Sequence, residues 1–164
     1  MRHIVERARR NERSLPLEIA NVLDGNDVTH NAALLLGFPE HQVRIEGGGH
    51  ASQNDVWALL QLRDGAASMS VEAKSGEPFD KLVADWLRVR SDGSNKPQRL
   101  DSLRRTLGIV EENVDGIRYQ LLHRTASPLL EAKRFRASIA IMIVQSFGVR
   151  RMRTATRISK TSAK

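Results

Sequence analysis

The period of the hydrophobic pattern changes several times along the chain. "ASMSVEAK" alternates polar and apolar residues as a half-buried strand does. It follows "NDVWALLQL" across Asp64-Gly65, a strong two-residue turn signal, so the two segments predict a hairpin. With Asp64 and Gly65 as the loop, Arg63 pairs with Ala66 and the rest of the register follows. Val56, Ala58, Leu60 and Leu62 then face Ala73, Val71, Met69 and Ala67 on one apolar side. Asp55, Trp57, Leu59 and Gln61 face Lys74, Glu72, Ser70 and Ser68 on the other. A one-residue slip would mix these faces.

Upstream, "SLPLEIANVL" and "THNAALLLGF" read as two short helices, the first with Ser14 as a cap, the second with Thr29 or Asp27. "HQVRIEGGG" reads as a strand running into a glycine loop. Downstream, "FDKLVADWLRV" has Phe79, Leu82, Val83 and Trp86 at helical spacing, and "RLDSLRRTLGI" is a further helix. "IRYQLLHRTASPLLEAKRF" predicts one long helix or two joined near Pro128. "SIAIMIVQSF" is a continuous apolar strand of the kind buried on both faces.

With 164 residues, one domain with its own core is expected, over residues 1–148. Cysteine is absent, which excludes a disulfide framework and thiolate metal sites. The start lacks the apolar stretch of a signal peptide, and no apolar run approaches the ~20 residues of a membrane helix. A cytoplasmic protein with no membrane partner is the expectation. The net charge of +7 is uneven: Arg150, Arg151, Arg153, Arg157, Lys160 and Lys164 fall in residues 149–164 with no acid among them. Such a basic, flexible arm suits phosphates, with salt-sensitive affinity blind to sequence.

The tripeptide Glu-Ala-Lys occurs twice, at Glu72–Lys74 and Glu131–Lys133. Residues two apart on a helix point about 200° away from each other, but on a strand they share a face. The second copy is therefore expected to be surface decoration on a helix. The first can present both charges together. In the register above, Asp55 stands opposite Lys74 and diagonal to Glu72, with diagonal neighbours roughly 7 Å apart. Two carboxylates at that separation suit one Mg²⁺ or Mn²⁺ ion, and a lysine beside them can orient a water or offset charge on a phosphate.

"ND" at Asn54-Asp55 followed by "EAK" at Glu72–Lys74 resembles the PD-(D/E)XK motif of the restriction-endonuclease-like nucleases. The strings "GGGHASQNDVWALL", "VEAKSGEPF" and "RYQLLHRTAS" resemble one of the bacterial families in that superfamily. Asn54 stands where the motif has proline, and nothing after Phe147 matches the family's pattern. The resemblance implies an α/β fold with an αβββαβ core, a mixed central sheet flanked by helices. It further implies a metal-dependent nuclease acting on DNA. Asp55, Glu72, the Ala73 carbonyl and Glu18 would be metal ligands, and Lys74 and Gln120 catalytic residues. Arg124, Arg118 and His50 would contact substrate. Many relatives are dimers, so a homodimer is compatible with it. The rival expectations are a non-catalytic nucleic-acid-binding module using the basic arm, and a defence component that needs a partner.

Overall fold

The computed structural model describes residues 15–89 and 94–147. Ser14 and the basic stretch lie outside them. The elements run α1 (Leu17–Asp24), β1 (Ala33–Val43), β2 (Ser52–Leu62), β3 (Gly65–Lys74), α2 (Val83–Arg88), α3 (Lys96–Leu107), α4 (Tyr119–Phe135) and β4 (Ile139–Ser146). The strands form one sheet in the order β1-β2-β3-β4, with two antiparallel pairings and a parallel one between β3 and β4. A parallel pair needs a long crossover, and α2, α3 and α4 supply it. The fold is α/β, a four-stranded mixed sheet flanked by helices.

The hairpin turns one residue earlier than its Asp-Gly signal suggests. Arg63 and Asp64 form the turn, and Leu62 pairs with Gly65 at φ 116°. Val56 consequently pairs with Val71, not Ala73. The register moves by two, an even number, so every residue keeps its face. Ala58, Leu60, Leu62, Ala67, Met69 and Val71 bury against Ile19 and Leu23 of α1, with Ile139, Ile141 and Ile143 of β4 packed beside them. Trp57, Ser68, Ser70 and Glu72 lie on the opposite face, beneath α4.

Three expectations fail for physical reasons. "THNAALLLGF" is not a helix. From Ala33 it is β1, paired along its length with β2, and Gly37 and Pro39 are tolerated there because β1 is an edge strand. A bulge between Leu34 and Leu36 accommodates the three leucines: Leu34 packs on the α1 side and Leu35 and Leu36 face solvent. Thr29 closes the end of α1 instead of capping a second helix, its hydroxyl donating to the Leu23 carbonyl at 2.6 Å. "HQVRIEGGG" contributes only the end of β1. β4 is an edge strand too, and is partly exposed, not buried on both faces.

The crossover builds a second core from Ile45, Val83, Leu100, Leu103, Val114, Tyr119, Leu122 and Ala126. α2 starts only at Val83, because the preceding residues are extended: Leu82 bridges to Arg118, and the Tyr119 amide donates to the Lys81 carbonyl at 2.9 Å. Gly47 explains part of the glycine loop. A Cβ there would lie 2.5 Å from the Arg99 backbone, so only glycine lets α3 approach so closely. α4 is one helix with Pro128 buried inside it. Its Glu131 corrects the expectation of surface decoration: the carboxylate is buried beneath α4, 3.2 Å from His41 Nε2 but not in hydrogen-bonding orientation.

Candidate functional site

Glu72 is near the end of β3, on the face that α4 covers, and is 2% exposed. A carboxylate so placed is tolerated only if its charge is answered. Gln120 and Arg124, four residues apart on α4, answer it together, as that helical spacing permits. Gln120 Nε2 donates to Glu72 Oε1 at 2.5 Å, and Arg124 Nε donates to Oε2 at 2.7 Å. Lys74, two residues along the same strand face, brings Nζ to 3.1 Å from Oε1. Four of the residues expected at the site therefore meet on one carboxylate.

Second contacts hold these donors in place. Gln120 Oε1 accepts the Asp80 amide at 3.3 Å, tying the start of α4 to the loop after β3. Arg124 Nη1 donates to Ser52 Oγ at 3.1 Å, and Ser52 Oγ lies 2.8 Å from His123 Nδ1. Burial above all, then the Arg124 and Arg99 guanidiniums, push the His123 pKa down to about 3. The imidazole is thus neutral, and its Nδ1 shares a hydrogen bond with the Ser52 hydroxyl, which also reaches the His123 carbonyl at 3.3 Å. Ser52 was missed in the sequence, where a serine opening a strand gives no signal. Its role follows only from α4 lying across the end of β2.

Asp55 does not stand opposite Lys74 as the sequence register has it. Its Oδ2 accepts the Ala73 amide at 2.7 Å, which places it beside the Glu-Ala-Lys backbone while Lys74 turns to Glu72. The β2 burial pattern changes phase at this point: Ser52 and Asn54 are buried with Trp57, against strict alternation. Glu40, in the region of β1 facing this point, has φ 53°.

The remaining expected residues lie apart. Glu18 is exposed on α1, which packs on the far face of the sheet, and is not brought to Glu72. Arg118 is exposed at the N-cap of α4, its Nη1 donating to the Asp80 carbonyl at 3.2 Å. His50 is exposed on the glycine loop, with its carbonyl accepting from Arg99 Nη2 at 2.7 Å. Among the described residues no three Asp, Glu or His side chains gather as a ready metal cage. Asp55, Glu72 and the Ala73 carbonyl are nonetheless hard oxygen donors of the kind Mg²⁺ takes, since that ion is usually held by one or two carboxylates, water and phosphate.

A family model for a domain of unknown function, DUF6946, matches residues 3–157. The chain belongs to that family. The DUF6946 match continues past Phe147 into the basic stretch, so much of that stretch is part of the family's pattern. Comparison with curated proteins and with solved structures gives no match. Among the described residues no helix is long and apolar enough to cross a membrane.

Proposed function

We propose that this DUF6946 domain is a metal-dependent phosphodiesterase acting on nucleic acid, DNA first, built on a restriction-endonuclease-like αβββαβ core. The observation that carries the reading is the convergence of Glu72, Lys74, Gln120 and Arg124 at the end of the hairpin, with Asp55 held at Ala73. The element order supports it: a helix, a three-stranded meander, a crossover and a parallel fourth strand.

Asp55 and Glu72, with the Ala73 carbonyl, would hold Mg²⁺ or Mn²⁺. When bound, such an ion acidifies a water and polarises phosphorus. Lys74 is only 12% exposed, so its ammonium can orient the attacking water or offset charge on the phosphate in a water-poor setting. Gln120, fixed by the Asp80 amide, orients Glu72. Arg124 is the residue suited to a phosphate oxygen, because its planar fork matches that group. Arg118, exposed at the N-cap of α4, would add charge along the path of a bound strand.

The same carboxylate supports a second reading. Both Glu72 oxygens already have cationic partners, which is how a purely structural buried acid is arranged. On that view the domain binds nucleic acid without cutting it. The deciding experiment incubates the purified protein with single- and double-stranded DNA, and with RNA, in Mg²⁺ or Mn²⁺, beside a folded Lys74→Ala variant. Cleavage lost in the variant supports the nuclease. Binding without cleavage by either protein supports the structural reading.

A further inference from the structure

A cavity of about 330 Å³ adjoins the Glu72 group, sharing His123 with it, and is lined by Gly48, Gly49, Trp86, Lys96 and Arg99 among others. We propose that this cavity binds a phosphate group, carried by a free nucleotide or by a nucleic-acid strand. The inference needs neither Glu72 nor a divalent ion, and so stands apart from the nuclease reading.

Charge carries it. Arg99 is 6% exposed, and its donors go to neutral acceptors: the Gly48 carbonyl, the His50 carbonyl at 2.7 Å and the Tyr119 hydroxyl at 2.6 Å. The Tyr119 pKa is raised by burial, which keeps that hydroxyl from serving as a counter-anion. Lys96 Nζ donates to the carbonyls of Trp86, at 2.7 Å, and Val89, and sits over the Trp86 ring. Among the described residues neither cation has a carboxylate within ion-pair distance, and no acid lines the cavity.

Buried or half-buried cations are normally paired, so two of them lining one cavity with no carboxylate partner among the described residues is a costly arrangement. Lys96 is also the first residue of α3, whose opening turn contains no acid and whose N-cap side chain makes no cap bond. A cation at that end is opposed by the helix dipole. An anion in the cavity would answer both charges at once. His123 lines the same cavity. The cavity is at the lower end of small-ligand sites, large enough for a phosphate or one nucleotide and too small for a duplex.

The test uses the intact protein in chelator, titrated with inorganic phosphate, a 5′-mononucleotide and a short single-stranded oligonucleotide, following Trp86 fluorescence. Trp57 is fully buried under Phe135 and contributes a constant background. The expected result is a saturable change, weakened about tenfold by Lys96→Gln, the loss expected for one charged hydrogen bond. Ser94→Glu, which brings a carboxylate to the lining, should weaken it as well. A response to phosphate and mononucleotide assigns the site to free ligands; a response to the oligonucleotide alone assigns it to a strand. No saturable response, or one that both folded variants leave unchanged, overturns the inference. If a variant fails to fold, amide shifts of the unaltered protein decide: with phosphate they centre on Gly48, Gly49 and Lys96, or the inference is wrong. Cleavage without metal-free anion binding would sink this proposal and leave the nuclease reading standing.

Discussion

Glu72 holds the site together in its present state and also stands in the way of the chemistry proposed for it. Both of its oxygens are occupied by side-chain donors, so a divalent ion must displace at least one of them. Arg124 is the natural one to leave, since a substrate phosphate would compete for the same fork. Arg124→Gln should therefore bind Mn²⁺ more tightly in the absence of nucleic acid, by roughly tenfold if one charged hydrogen bond is released. Titration calorimetry checks this, and unchanged affinity would count against exchange at Glu72. His123 gives a second residue-scale expectation. Its folded pKa of about 3 lies below the unfolded value of 6.5, so the unfolded chain takes up a proton that the folded one refuses. Its contribution to stability is full above pH 6.5 and is lost as pH falls toward 3, at up to about 1.4 kcal/mol per pH unit. Urea unfolding of the wild type and His123→Gln across that range should show a shallower acid loss in the variant.

At the scale of elements, the glycine loop and α3 form one device, because the loop passes against the helix backbone at Gly47. Gly47→Ala meets both that backbone and a φ of 93°, whereas Gly108→Ala at the end of α3 meets only a φ of 71° in open space. The second change should cost about 1 kcal/mol, the ordinary strain of a left-handed residue, and the first clearly more. Thermal melts of the two variants, compared side by side, measure the difference. The hairpin was legible because its faces are set by alternation, and alternation survives an even register error. The turn itself was not, because an Asp-Gly pair fits two adjacent loop positions and only the partner strands choose between them. "AALLL" carries helical propensity that edge pairing overrides. The burial of Glu131, expected at the surface, is not legible because burial on a helix depends on what covers it, here His41 on β1. Gln120 and Arg124 were legible as a helical pair. That they close on Glu72, and that Asp55 takes the Ala73 amide, needed the crossover geometry.

For the whole molecule, charge distribution matters more than its sum. Six positive charges and no acid fall in residues 149–164, leaving about +1 on the rest of the chain. Nucleic-acid affinity should therefore depend steeply on salt, and removing residues 149–164 should flatten that dependence, each lost phosphate contact reducing the slope by about 0.7 to 0.9. A salt titration of oligonucleotide binding by both forms would show it, and identical slopes would rule out the stretch as the phosphate-contacting arm. The parallel pairing of β3 with β4 has one more consequence, which concerns assembly. The hairpin can form within microseconds from neighbouring residues, but Gln120 and Arg124 come from the far side of the crossover. A nascent chain thus carries Glu72 and Lys74 as an exposed, unassembled pair until α4 docks and buries Trp57 under Phe135. The activity proposed here would be withheld until α4 has been synthesised and has docked on the hairpin.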